Sequence, residues 1–250
     1  MEGRPIIRTE GLTKRYGGYE AVRSLSLEVR EGEIFGFLGP NGAGKTTTLL
    51  MLLGLTVPTA GTVEVCGLDP VRRARAVKQL VGYLPENVGF YGDLDAVESL
   101  AYIAALNGRS PADSARLVPG LLEQVGLADA ARKKVGFFSR GMRQRLGIAE
   151  VLLKEPKVLL LDEPTLGLDP DGAARLIGLI EALNRERNMT VLLSSHNLHQ
   201  VQRISHRVGI MIEGGMVASG PIDALAEQTF GLGGSRYSLE EIYLKYFQEG

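Results

Sequence analysis

The apolar run Ile34-Phe35-Gly36-Phe37-Leu38, followed by Gly39-Pro40-Asn41-Gly42-Ala43-Gly44-Lys45-Thr46, decides the fold of this 250-residue chain. The run predicts a buried strand, the glycines end it sharply, and Thr46 to Leu53 reads as a helix closed by Gly54. A G-x-x-x-x-G-K-T pattern that ends a strand and opens a helix is a phosphate-binding loop. A triphosphate carries several negative charges, so Gly39, Asn41, Gly42, Ala43 and Gly44 must offer converging backbone N–H groups with little side chain in the way. Lys45 adds a charge for the β- and γ-phosphates, the Thr46 hydroxyl suits Mg2+, and Thr47 can donate to an α-phosphate oxygen.

Outward from the loop, Leu25, Leu27 and Val29 alternate with polar residues as a strand does, and short strands are predicted at Thr62–Val65 and Val81–Leu84. From about Asp93 to Gly141 strand signals vanish. Val97, Leu100, Ala101 and Ala104 recur at helical spacing, as do Leu117, Leu121, Leu122 and Val125, so a helical subdomain is expected at about 90–142. Strand-like runs return at Val158–Leu161 and Thr190–Leu193, separated by a helix that begins near Pro170. This alternation predicts an α/β core with a parallel sheet. A helical tail is expected at about 221–250, where Ser238 and Glu241 form a capping box before the apolar face of Ile242, Tyr243, Tyr246 and Phe247.

Val158-Leu159-Leu160-Leu161-Asp162-Glu163 is a strand that ends in two acids, so their side chains leave the sheet's carboxyl edge on opposite faces. Asp162 is placed to reach Mg2+ and Glu163 to orient or deprotonate an attacking water.

Composition narrows the class. With 28 basic against 29 acidic side chains, the chain lacks the excess of Lys and Arg that a nucleic-acid partner would require. The lone Cys66, beside Val63 and Val65, predicts an inert core thiol and a reducing compartment. No apolar run approaches the roughly 20 residues that span a bilayer, and no signal-peptide pattern stands near Met1. Membrane work would therefore go through a partner, without direct insertion.

Further residues, taken in order, resemble the ATP-binding subunits of ABC transporters over essentially the whole chain. Tyr83-Leu84-Pro85-Glu86-Asn87 stands at the Q-loop, Phe138-Ser139-Arg140-Gly141-Met142 at the signature, Leu168-Asp169 at the D-loop and Ser195-His196 at the switch. The resemblance implies an α/β P-loop NTPase of the ABC-ATPase fold, with a mixed sheet core, an N-terminal antiparallel portion and a helical subdomain. It also implies Mg2+-dependent ATP hydrolysis, with Lys45, Glu163 and His196 catalytic. Tyr16 is similar to the aromatic on which the family stacks adenine, and Val22 stands among the nucleotide contacts. Ser139, Gly141, Met142 and Asp169 are implied to close over the nucleotide held by a second copy of the chain, making an ATP-clamped homodimer with two composite sites. Thr46, Asp162 and Glu86 form the implied metal side. His199 and His206 read as ordinary helix or strand-end residues.

Two departures from the commonest pattern stand out. Glu86 replaces the usual glutamine, and Arg140-Gly141-Met142 replaces Gly-Gly-Gln. Both resemble the ATPases of ABC-2 type exporters, and the stretch from Tyr83 to Tyr91 is similar to the ATPase subunit of the copper-related transporter used in nitrous oxide reductase assembly. The implied partner is an integral membrane permease at the cytoplasmic face of the cell membrane, docking near Asn87 to Tyr91. A soluble ABC-type ATPase without a permease is the alternative. GTPases are excluded by the absence of an Asn-Lys-x-Asp motif.

Overall fold

The computed structural model describes residues 3–231 and 237–249, so positions 232–236 and 250 of the expected tail lie outside it. The chain runs β1 (Pro5–Tyr16), β2 (Tyr19–Arg30), β3 (Ile34–Leu38), α1 (Lys45–Leu52), β4 (Ala60–Val65), α2 (Pro70–Leu80) and β5 (Val81–Leu84). A helical stretch follows, with α3 (Ala96–Leu106), α4 (Pro111–Gln124) and α5 (Arg140–Leu152). The core resumes with β6 (Val158–Asp162), α6 (Pro170–Arg187), β7 (Thr190–Ser195), α7 (Leu198–Ile204), β8 (Arg207–Ile212) and β9 (Gly215–Gly220), then α8 (Ile222–Phe230) and α9 (Leu239–Glu249).

Six strands pair in the order β5-β6-β7-β3-β8-β9, all parallel except the antiparallel β8–β9 pair. Side chains of the central strands are buried on both faces, which is why they read as continuous apolar runs. The pleat sorts them. Ile34, Leu38, Leu159, Leu161, Val191 and Leu193 join the core shared with the helices, whereas Phe35, Phe37, Val158, Leu160 and Leu192 meet α1 and the second sheet. That second sheet is antiparallel, in the order β2-β1-β4.

Short polar side chains start most of the helices. Asp69 caps α2, Ser110 caps α4, Asn197 caps α7, and Asp95 with Glu98 forms a capping box at α3. The helical stretch does not close at residue 142: α5 begins at Arg140 and continues to Leu152, leading the chain directly back to β6. The Ser238–Glu241 capping box forms as its spacing predicts, with Glu241 N–H donating to Ser238 Oγ at 3.2 Å and Ser238 N–H to Glu241 Oε2 at 2.7 Å. Leu239 and Ile242 of α9 are buried against the core. Cys66 is half-buried rather than a core residue, and burial raises its thiol pKa.

Gly36 sets how closely α7 approaches the sheet. A Cβ there would overlap Val201 Cγ1 and lie 2.8 Å from Ser205 Oγ. Gly36→Ala should therefore destabilise the fold by about 1–3 kcal/mol through overpacking. In urea unfolding, Gly36→Ala combined with Val201→Ala should cost less than the sum of the two single changes, since the second removes the obstacle to the first.

Candidate functional site

The carboxyl ends of β3, β6 and β7 meet at one edge of the sheet because the three strands are adjacent and parallel. A cleft of about 390 Å³ opens there, lined by residues 40–47 together with Tyr16, Tyr19, Ala21, Glu86 and Glu163. The loop after β3 is held from two sides. A Cβ on Gly44, at φ 103°, would collide with the Ala21 carbonyl oxygen of β2, and Gly214 N–H donates to Ala43 O at 3.1 Å from the β8–β9 turn. Only glycine at position 44 meets both requirements. No side chain caps the start of α1, so its first N–H groups remain available to an anion.

Lys45 is only 5% exposed. Its Nζ donates to Gly39 O at 2.6 Å and Pro40 O at 3.2 Å, and lies 3.2 Å from Glu163 Oε1. Glu163, at the start of the loop after β6, is 6% exposed and has φ 46°, the left-handed region that most residues avoid. Its N–H reaches both Ser194 O and Ser194 Oγ, each at 3.1 Å. Oε2 lies 2.8 Å from His196 Nδ1, a contact that calls for a proton on that nitrogen. Oε1 accepts no hydrogen bond, although Lys45 is beside it. One carboxylate thus stands between a cation and an imidazole, with an oxygen free to accept.

Asp162 is buried and held by hydroxyls on both oxygens: Ser194 Oγ donates to Oδ1 at 2.6 Å and Tyr83 OH to Oδ2 at 3.5 Å. Burial, with the Asp162 charge next in weight, pushes the Tyr83 pKa up to about 12, so this phenol remains a donor at neutral pH. Thr46 and Glu86 line the same cleft. Among the described residues no group of three His, Cys, Asp or Glu could hold a metal ion alone. The oxygen donors Thr46, Asp162 and Glu86 instead suit a hard cation that keeps waters and shares phosphate oxygens.

Other expected site residues do not line this cleft. Ser139 caps α5, accepting from Met142 N–H at 3.2 Å, and Asp169 caps α6, accepting from Gly172 N–H at 2.6 Å. These two segments adjoin each other: a Cβ on Gly141 would lie 3.8 Å from Leu168 Cδ2 and 3.9 Å from Gly172 Cα. Signature and D-loop residues therefore share a second patch on the same chain. Val22, Gly39, Asp162 and His196 likewise lie outside the cleft lining. Val22 is 0% exposed, packed in the core beneath Gly44, and Ala21 lines the cleft in its place because β2 presents alternate residues to opposite faces. Gly39 is also buried, and it contributes its carbonyl to Lys45 rather than a surface to the cleft.

Tyr19, Ser194 and Gln144 were missed from sequence, as was the contact of the Tyr83 hydroxyl with Asp162. Tyr19 lines the cleft and its OH donates to Gly42 O at 3.4 Å; its signal was a second aromatic three residues after Tyr16. Gln144 is buried on α5, and its Nε2 donates to the Glu86 carbonyl at 2.9 Å. A lone amide on the stripe of Gly147, Ile148 and Val151 was the legible sign. His206 accepts from Ile34 N–H at 2.9 Å, a structural contact, and His199 is exposed.

The model of the ABC transporter family matches residues 22–166. The bacitracin transport ATP-binding protein BcrA of Bacillus licheniformis is 44% identical over 223 residues, covering 89% of this chain and 72% of that protein. The Nod factor export ATP-binding protein I of Paraburkholderia xenovorans is 40% identical, covering 90% of this chain and 74% of its own length. A solved ATP-binding subunit of an ABC transporter superposes with a TM-score of 0.84 at 28% identity, over 97% of this chain and 99% of that one. On these matches and the loop, strand and carboxylate geometry, the chain belongs to the ABC transporter family, as an ATP-binding subunit.

Proposed function

We propose that two copies of this chain clamp two ATP molecules between them and hydrolyse them to drive a separate integral membrane permease of the exporter type from the cytoplasmic face. The observation that carries this reading is the division of the site. Lys45 and Glu163 line one cleft and His196 contacts Glu163, whereas Ser139, Gly141 and Asp169 gather on another patch of the same chain. A head-to-tail pair brings the patch of each copy to the cleft of the other.

In this scheme the amides of residues 41–45 and the Lys45 ammonium hold the β- and γ-phosphates. Tyr16 and Tyr19 flank the purine. Lys14 Nζ sits 4.8 Å from the Tyr16 ring centroid, leaving the opposite ring face for a base. Glu163 takes or orients the proton of the attacking water through Oε1, the oxygen without a hydrogen bond. His196, fixed by Glu163 at Nδ1, offers Nε2 toward the γ-phosphate. Thr46, Asp162 and Glu86 would hold Mg2+, which when bound neutralises charge on the phosphate oxygens. Ser139 and Asp169 of the second copy then complete the enclosure.

The permease reading is supported by the names of the two relatives, one a transport protein and one an export protein. No helix among the described residues is long and apolar enough to cross a membrane. Val88 and Phe90 of the expected docking rim pack against the core, but Tyr91 is 67% exposed and meets Tyr102 edge-on at 5.7 Å. A soluble, permease-free ATPase is the competing reading, and copurification with a detergent-solubilised membrane protein decides between them.

Glu163→Gln should slow hydrolysis about 10²- to 10⁴-fold, the range for loss of a general base. Lys45 keeps its two carbonyl partners in that variant, so the loop should stay folded. Light scattering with saturating ATP should then find a dimer, and a strictly monomeric variant would sink the clamp. Glu86→Gln tests the metal side separately: the Mg2+ concentration for half-maximal turnover should rise several-fold, and an unchanged Mg2+ requirement removes Glu86 from the metal.

A further inference from the structure

Ser194 is next to last in β7, one strand over from the acids, and is fully buried directly after the apolar Val191, Leu192 and Leu193. A buried hydroxyl must find partners, and this one has two. Parallel pairing sets Ser194 opposite Asp162, so the position of the contact is fixed by strand register rather than by a flexible loop. The single Ser194 proton goes to Asp162 Oδ1 at 2.6 Å, a short charge-assisted bond. A lone pair on the same oxygen accepts the Glu163 N–H at 3.1 Å.

We propose that Ser194 is a positioning residue that orients the metal-side carboxylate and holds the backbone of the catalytic carboxylate through one hydroxyl. This rests on the functional reading above. Glu163 occupies the left-handed region at φ 46°, a conformation that persists only where neighbouring groups over-determine it. The Ser194 hydroxyl and carbonyl both receive its N–H and supply that restraint. Asp162 has one other hydroxyl partner, Tyr83, at the longer distance of 3.5 Å. Without the Ser194 proton the Asp162 carboxylate keeps only the longer Tyr83 contact, while Glu163 retains the carbonyl contact. The neighbouring Ser195 does a different job. Its Oγ accepts from Asn197 N–H at 2.9 Å and so shapes the turn into α7, which makes it a matched control.

The test compares Ser194→Ala, Ser194→Thr and Ser195→Ala with the wild-type chain. Mn2+ affinity in the presence of a non-hydrolysable ATP analogue is read by electron paramagnetic resonance, ATP affinity is read in EDTA, and ATPase activity is titrated with Mg2+. Loss of a partner behind a metal-side ligand costs roughly 10- to 100-fold in metal affinity or activity. Ser194→Ala should thus weaken Mn2+ binding about tenfold or more, leave ATP binding in EDTA near the wild-type value, and raise the Mg2+ requirement for turnover. Ser194→Thr should restore most of the loss because it keeps the hydroxyl, and Ser195→Ala should leave Mn2+ affinity unchanged. Unaltered Mn2+ affinity in Ser194→Ala overturns the proposal, as does an equal loss of ATP binding in EDTA, which marks general disruption of the core. A wild-type chain that shows no Mg2+-dependent hydrolysis instead overturns the functional reading, and that result precedes any variant.

Discussion

The buried ion pair between Lys45 and Glu163 constrains everything around it. Both side chains are nearly inaccessible to solvent, and taking two charges out of water costs several kcal/mol per ion unless geometry and hydrogen bonds compensate. Compensation comes from the two strands beside these charges: the carbonyls of Gly39 and Pro40 beyond β3, and, from β7, the imidazole of His196 and the Ser194 groups that hold the Glu163 backbone. None of these can be supplied unless β3, β6 and β7 lie side by side in parallel with their carboxyl ends in register. The apolar runs that secure this arrangement are therefore as much a part of the site as the charged groups.

The same logic accounts for the two sheets. A loop that must present backbone amides has no side chains with which to anchor itself, so the anchoring is external. The carbonyl of Ala21 leaves no room for a Cβ at Gly44, and the β8–β9 turn donates to Ala43 O. The antiparallel sheet thus supplies two things, a wall against which the phosphate loop is pressed and the aromatic pair Tyr16 and Tyr19 at the cleft mouth.

The loop, the acid-tipped strand and the Ser238 cap were legible in sequence because each is a local matter. Glycine spacing, apolar runs and a capping residue before a helix act within a few residues, and Ser238 caps α9 as its spacing predicts. What sequence could not show depends on pairing between distant segments. The strand at 25–29 was visible, but that β2 turns Val22 inward and Ala21 toward the cleft follows from its registers with β1 and with the phosphate loop. Ser194 read only as the end of a strand, since its importance comes from lying opposite Asp162 in the β6–β7 ladder. Gln144 was hidden for the same reason, its partner lying 58 positions away.

That last bond bears on the departures from the commoner family pattern. Gln144 binds the backbone carbonyl of Glu86, not its side chain, so the tie between α5 and the cleft-facing loop is indifferent to whether residue 86 is an acid or an amide. Substitution there alters the chemistry presented to the cleft while leaving the connection to the helix that Ser139 begins. Arg140 follows a similar rule. Its guanidinium lies alongside Gly167, where a Cβ would come within 3.0 Å of Nη1, so a bulky side chain at a position usually held by glycine is directed against the loop before α6. The Ser139 hydroxyl and the Gly141 backbone are left as the family pattern has them. Both replacements leave local contacts in place: the Glu86 carbonyl keeps its bond from Gln144, and Ser139 still caps α5.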